Sequence, residues 1–490
     1  MTGSGRAGKP GGRRRDAGGR NPRRRRDAAG ASRSTDEGRA PVVDAGSELD
    51  AGERRPFGEI IAVGSRPAGG GRIELAEPPR PGEPTLRWQS HARSIDEIET
   101  ELSRIWAQPN LLVPGDAGPG GRYVAARTSV MNLVVIARQP EIGARSADIV
   151  SRLTGRHPSR TLIVQSADPD GPPWLDARIQ AHCVLPRADA PETCSEQIFL
   201  TAGGETGRHL AALVAPLLIH DLPVTVWWPG EPPLGSDPTL DLLATTDRLI
   251  VDGSTWSGDG LGRLIQLADM YDRFERLSIR DFAMVRQSRW REAIAAVFDL
   301  PDFTPYLPYL RRISVAYAAG TATGEPGSTN VVKPIYHVAW LASRLGMEVA
   351  SPLVPVAPRG SSGSGRSRRD KMPMHRGLAG KLAARSAAGD VSVVVRPVAS
   401  TMRSGTTLRV ELTAARRGSE LRADVTAEAE NVHVHTFVDG VQYLDRTFKA
   451  PRRVEVDLLA EALEAGGRDP VAVDTLRMAA ALAREPRQRP

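Results

Sequence analysis

The sequence predicts an α/β chain: a mixed-sheet α/β sandwich domain followed by a smaller α+β domain. Three observations carry this. Met131 to Ala137, Thr161 to Gln165 and Val224 to Trp228 are short continuous apolar runs, the mark of strands covered on both faces. Between them lie stretches with apolar residues at helical spacing, so strands and helices alternate. Finally, Ala177 to Leu185 and Thr193 to Thr201 are strand candidates joined by Pro186 to Glu192, short enough for an antiparallel hairpin inside an otherwise parallel sheet. The sheet must therefore be mixed.

The elements follow in order. Residues 1–91 read as a disordered basic Gly/Arg-rich extension, with a weak strand signal between Phe57 and Pro84. Ser94 and Glu97 form a capping box for a helix that ends before Pro109. The run at Met131, a helix over Ile142 to Leu153, the turn Gly155 to Arg160 and the strand at Thr161 make a β-α-β unit. Leu210, Leu213, Val214, Leu217 and Leu218 line one face of a helix that Asp221 to Pro223 stop before the Val224 strand. Leu249 to Asp252 and Leu277 to Ile279 are two further strands, separated by a helix with Leu261, Leu264 and Ile265 on one face. The first domain is thus 92–300. Residues 301–485 form the second, with a strand at Ile313, a helix over Asn330 to Leu345 and a mobile loop at 358–376. Five strands of a meander follow between Val391 and Phe448, then two helices.

Charge is unevenly placed. Residues 1–40 hold twelve Arg or Lys against four Asp or Glu, a local +8, so a chain of net +7 keeps −1 over its other 450 residues. The arginine runs suit polyanion contact by counterion release, and nucleic-acid binding through residues 1–40 is one functional alternative. With no aromatic interleaved to stack on bases, a solvated tail is the plainer account. The apolar run Leu210 to Ile219 holds a proline and is half the length of a membrane span of about 20 residues. No apolar signal core follows the basic N-terminus, and two cysteines suit a reducing compartment, so the expected location is the cytoplasm.

Candidate sites are few. Gly203, Gly204 and Gly207, with Arg208 and His209 behind them, stand between a strand and a helix N-terminus and are a candidate phosphate cradle. Their spacing matches neither the Walker motif nor the dinucleotide fingerprint, and a plain strand-to-helix turn explains them as well. His157 and Ser159 lack a third group to orient the imidazole. His433 and His435 share a strand face without a third metal ligand. No carboxylate pair is flagged for acid/base work, and no catalytic, cofactor or metal residues are assigned. Cys183 and Cys194 flank the hairpin symmetrically. With a pairing centre between Ala188 and Asp189 they would stand opposite, a candidate reducible disulfide, against the ordinary alternative of two buried thiols.

Four blocks, MNLVVIARQPEIG from Met131, GRHPSR from Gly155, CSEQIFLTAGG from Cys194 and HLAALVAPLLIHDLPVTVWWPGEPP from His209, resemble in order those of the OpcA family of glucose-6-phosphate dehydrogenase assembly proteins. The resemblance implies a partner protein rather than an enzyme. It would be a non-catalytic assembly factor and allosteric activator of glucose-6-phosphate dehydrogenase, acting in the oxidative pentose phosphate pathway. Interface cores favour Trp and Arg, so Trp227, Trp228 and Pro229 are the first candidates for the contact and His157 and Arg160 the second. Core packing is the competing role for the tryptophans, because a strand covered on both sides buries them. The remaining alternative is a sugar-phosphate-binding enzyme or sensor using residues 203–209.

Overall fold

The computed structural model describes residues 70–73, 80–107, 126–168, 170–187, 192–357, 374–384 and 389–485. The arginine runs, the core of the 358–376 loop and the expected hairpin centre at Ala188 and Asp189 lie outside them. All described residues fall within one compact unit, Arg55–Pro490.

The first sheet comprises β1 (Gly71–Arg72), β2 (Pro84–Ala92), β3 (Ala126–Arg127), β4 (Met131–Ile136), β5 (Ser159–Ala167), β6 (Trp174–Val184), β7 (Thr193–Gly203), β8 (Val224–Trp228), β9 (Arg248–Val251) and β10 (Ser278–Asp281). Its order is β1-β2-β6-β7-β5-β4-β8-β9-β10, with β3 on β7. From β7 to β10 every neighbouring pair is parallel, whereas β6 runs antiparallel between β2 and β7. From β4 the chain places β5, β6 and β7 on one side, then returns to the other side of β4 for β8. That reversal makes β4/β8 a topological switch point of a doubly wound sheet. Strand β2, most of which lies within the stretch expected to be a disordered extension, is part of this sheet. Its Trp88 and Ala92 are buried, and it hides them by pairing with β6 rather than by forming a core of its own.

Helices cover both faces of the first sheet. They are α1 (Ile95–Ala107), α2 (Pro140–Arg152), α3 (Gly204–Arg208), α4 (Leu210–Val214), α5 (Asp237–Ala244), α6 (Leu261–Arg273), α7 (Phe282–Val285) and α8 (Ser288–Phe298). The pleat sends Val134, Val226 and Trp228 into an apolar cluster with α1, α4, α5 and α6, and sends Leu133, Val135 and Trp227 to the opposite face with α2. Half of the expected capping box at α1 forms: the Glu97 amide donates to Ser94 Oγ at 3.2 Å, while Glu97 Oε2 accepts from the amide of Arg93, one residue before the cap. The single helix expected from Arg208 to Leu218 is instead three short pieces. His209 (φ −102°, ψ 66°) leaves helical geometry, and Pro216, which offers no N–H, sits in a 3₁₀ turn over Ala215–Leu217.

The second sheet holds β11 (Leu310–Ala319), β12 (Glu348–Pro355), β13 (Leu378–Ala383), β14 (Asp390–Ala399), β15 (Thr407–Arg416), β16 (Ser419–Glu428), β17 (Asn431–Val438) and β18 (Val441–Lys449), in the order β12-β13-β14-β11-β15-β16-β17-β18. The expected five-strand meander is real from β15 onward. Between β14 and β15, however, the chain inserts β11, parallel to one and antiparallel to the other. Its near-continuous burial makes it a central strand that needs two partners. Helix α9 (Val332–Arg344) packs beneath it. The last two helices, α10 (Glu455–Glu464) and α11 (Pro470–Ala483), return to the first sheet, α10 against α2 and α7, α11 against α6 and α9. Leu458, Leu459 and Leu463 of α10 fill the face carrying Leu133, Val135 and Trp227.

Candidate functional site at the strand ends

Of the residues first expected at a partner interface, Trp227, Trp228, Pro229 and Arg160 are buried and His157 is half-buried. Trp227 is 0% and Trp228 2% exposed, on opposite faces of β8, each in a core cluster; Pro229 is buried with them. A central strand covered on both sides has no open face, so the tryptophans are core residues. Arg160 is buried and committed: Nε donates to Glu196 Oε2 at 2.6 Å and Nη1 to the Leu217 carbonyl at 2.9 Å, tying β5 to β7 and to the 3₁₀ turn. Burial pushes the His157 imidazole below its usual range, although Glu464 opposes this from 3.7 Å.

The glycine turn at 203–209 is likewise explained by packing. A Cβ on Gly203 would meet the Trp174 ring and one on Gly207 the Ala202 carbonyl, while Gly204 sits at φ +56°. Arg208 pairs with Asp170 at 2.8 Å and His209 with Glu205 at 2.7 Å. Helix α3 is five residues long and has an acid in its first turn, which disfavours a phosphate there. His433 and His435 lie on the outer face of β17 beside Thr447 and Asp445. Cys183 and Cys194 stand directly opposite in the β6/β7 register and are joined as a disulfide.

The structure instead gathers polar chemistry at the carboxyl ends of β9 and β10, where open parallel sheets bind ligands. Asp252 follows β9; both its oxygens accept from Arg286 Nη1 at 2.8 Å, and Oδ1 also accepts from Ser254 Oγ at 2.6 Å. Asp281 closes β10. Its carboxylate accepts from the Gly253 and Ala283 amides and from the Tyr336 hydroxyl, all at 2.8 Å. Burial, with Asp252 adding repulsion, raises the Asp281 carboxyl to about 6 despite those three bonds. Gly253 must be glycine, because a Cβ would lie 2.5 Å from Asp281 Oδ2.

Helix α9 begins over this cluster. Asn330 Nδ2 bonds the Gly253 and Trp256 carbonyls, and Gly405 approaches the Asn330 carbonyl so closely that a Cβ would lie 2.5 Å away. The turn carrying Arg403 is thereby held against the first turn of α9. Lys333 lies in that turn. Burial pushes its ammonium down to about 8, and Arg286, Arg403 and Arg452 add repulsion that Asp252 only partly offsets. Several cations thus converge on one carboxylate that Arg286 already holds. Alongside is a cavity of about 440 Å³ lined by Tyr271, Arg280, Asp281, Arg291, Tyr336 and Glu461.

At the switch point itself, the loop from β4 into α2 reads Ala137-Arg138-Gln139-Pro140-Glu141. It has no glycine to admit a pyrophosphate, and Glu141 places negative charge in the first turn of α2. Gly143 remains, with a would-be Cβ 2.3 Å from Gln165 Nε2, a glycine kept for helix-on-sheet contact. Asp252 and Asp281 are not legible as a pair in the sequence, where nothing local links them. The usable signal was positional: an Asp closing each of two successive parallel strands.

Residues 150–268 match the family model described as glucose-6-phosphate dehydrogenase subunit N-terminal domain, and residues 277–474 the one described as its C-terminal domain. A curated relative, the OxPP cycle protein OpcA of Synechocystis sp., is 26% identical over 200 residues, which are 40% of this chain and 39% of that protein. The match thus spans about two fifths of the relative's length. Among solved structures, the transcriptional regulator Gal80p of Kluyveromyces lactis superposes with a TM-score of 0.38 at 8% identity, covering 69% of this chain and 79% of that one. An oxidoreductase domain protein from Kribbella flavida gives 0.35 at 11% identity, covering 74% and 92%.

Proposed function

We propose, from the premise that the chain belongs to the OpcA family of glucose-6-phosphate dehydrogenase subunits, that it is a non-catalytic assembly factor and allosteric activator of that dehydrogenase. The observation that carries this reading is the tandem match of both family domains across 150–268 and 277–474. The occupied switch point supports it. An acid stands where a dinucleotide phosphate would sit, and α10 covers the adjoining face of the sheet. An effector activates an enzyme only by binding one of its states more tightly, and couplings of about 1–3 kcal/mol are usual.

With the tryptophans in the core, the contact surface moves to the edge of the second sheet. Tyr443, 65% exposed, and Val441, 60% exposed, lie on β18, whose outer backbone edge has no strand partner among the described residues. An exposed tyrosine beside an open edge is a ready docking element. The test is dehydrogenase activity on glucose 6-phosphate with and without this chain, with size-exclusion light scattering on the same mixtures. A co-eluting complex with raised activity is expected. No complex and unchanged activity would overturn the reading.

A second reading, binding of a phosphate-bearing metabolite, draws on the Lys333, Arg286 and Arg403 cluster rather than on residues 203–209. It requires thermal stabilisation by millimolar inorganic phosphate that Lys333→Met abolishes. Equal shifts in both chains would end it. No helix among the described residues is long and apolar enough to cross a membrane, and nucleic-acid contact by residues 1–40 lies outside the described part.

A further inference from the structure

Beside the disulfide lies a carboxylate of which only one oxygen is accounted for by the fold. Glu192 immediately precedes β7 and is 2% exposed; Cys183 and Cys194 are fully buried. Glu192 Oε1 accepts from Arg87 Nη2, but Oε2 is buried without a hydrogen-bond partner. A desolvated carboxylate oxygen left unpartnered is costly, and such an atom in a folded protein calls for an account. One carboxylate oxygen of Glu192 and the two sulfurs lie within 4.8 Å of one another. Two thiolates and a carboxylate are a ligand set for a soft-to-borderline divalent metal, with zinc the first choice and calcium or magnesium disfavoured.

We propose that, with its sulfurs reduced, this chain binds one Zn²⁺ through Cys183, Cys194 and Glu192, and that the disulfide is the metal-free alternative of the same site. The charges close. Two thiolates and one carboxylate give −3, the metal +2 and the paired Arg87 +1, so the buried group is neutral. Arg87 would then act as the outer partner that orients the carboxylate, a role supporting groups commonly play at metal sites. A water completes the fourth position. A peroxide oxidant takes two electrons from the thiolates and, with two protons, becomes two waters; the S–S bond forms and no thiolate is left to hold the ion.

The chemistry balances with a phosphine reductant. The phosphine takes oxygen from water to become its oxide and supplies two electrons; the S–S bond breaks and each sulfur gains a proton. Zinc then displaces both thiol protons. The site stands whether or not the chain binds a dehydrogenase.

The test uses the full chain, reduced with a phosphine or oxidised, and challenged with Zn²⁺ against a chromophoric competitor and separately with Co²⁺. The reduced chain is expected to bind one more equivalent of zinc than the oxidised chain and to show thiolate-to-cobalt charge-transfer absorption that the oxidised chain lacks. Glu192→Gln should weaken zinc by at least the order of 10–100-fold seen when even a supporting group is lost. Cys194→Ser, which leaves the Arg87–Glu192 pair intact, should abolish the cobalt bands, with circular dichroism checking that each variant is folded. Equal zinc stoichiometry in the two redox forms would overturn the proposal. So would sulfurs that stay bonded under the reductant, or undiminished affinity in folded Glu192→Gln.

Discussion

Asp281 and Trp228 show how differently single residues act in this fold. The Asp281 carboxyl, raised from 3.8 to about 6, is protonated more readily in the folded chain than in the unfolded one. Its contribution is therefore fully present below about pH 4 and is lost as pH rises through 6. Tyr336 donates to the ionised form, so Tyr336→Phe should raise the carboxyl further and extend that loss above pH 6. At pH 7.5 the variant should be less stable by about 1.5–3 kcal/mol, the range for a hydrogen bond to a charged group, and the difference should shrink at pH 5. Urea melts of both chains at the two pH values decide it, and a gap independent of pH would show that Asp281 is not the group responding. Trp228 carries no such dependence. Its ring fills the core on one side of β8, so Trp228→Ala should cost about 3–5 kcal/mol at any pH, read as a lower urea midpoint.

At the level of elements, the sequence exposed those whose pattern is local. Val224–Trp228 is a strand over the residues its apolar run marked, and Ser94 caps α1 by accepting from the Glu97 amide, as the spacing required. The hairpin partners Cys183 and Cys194 stand opposite because the side-chain period of two leaves little freedom of register. Pairing between distant segments was not legible. Nothing in Leu310–Ala319 announces that it divides β14 from β15, and nothing in α10 says which sheet it covers. That return depends on two arginines from the first sheet. Arg248 donates to the Leu463 and Ala465 carbonyls at 2.9 and 2.6 Å, and Arg280 reaches those of Gly466 and Gly467. They satisfy acceptors that the end of α10 and its connector leave open, and they place positive charge at the negative end of its dipole. Arg248→Met keeps the stem but strands two carbonyls. Amide exchange in α10 should then accelerate ahead of the β4 and β8 amides; equal acceleration everywhere would show that α10 does not open separately.

For the whole molecule, the two sheets divide the work between a sealed core and an open edge. The first sheet is covered on both faces, and of the candidate contact residues chosen from its sequence the tryptophans, Pro229 and Arg160 are buried and His157 is half-buried. A rule that interfaces favour tryptophan cannot distinguish an interface from a core when burial is unknown. The second sheet ends on β18, where Tyr443 and Val441 project into solvent and Asp445, Arg446 and Lys449 supply charge along the strand. Charges on an edge strand discourage indiscriminate pairing while leaving room for one complementary partner. If the dehydrogenase docks here, Tyr443→Glu should reduce activation at sub-saturating concentration at least tenfold, the loss that follows from removing about 1.4 kcal/mol or more of contact energy. Its melting midpoint should barely move, since an exposed substitution is usually worth less than about 0.5 kcal/mol. Trp228→Ala should behave in reverse, with lowered stability but near-normal activation per folded molecule. Activation titrations and melts on both variants therefore separate contact from fold. Full activation by Tyr443→Glu would move the docking surface away from β18, and lost activation by a folded Trp228→Ala would show that the partner reads the packing of the first sheet.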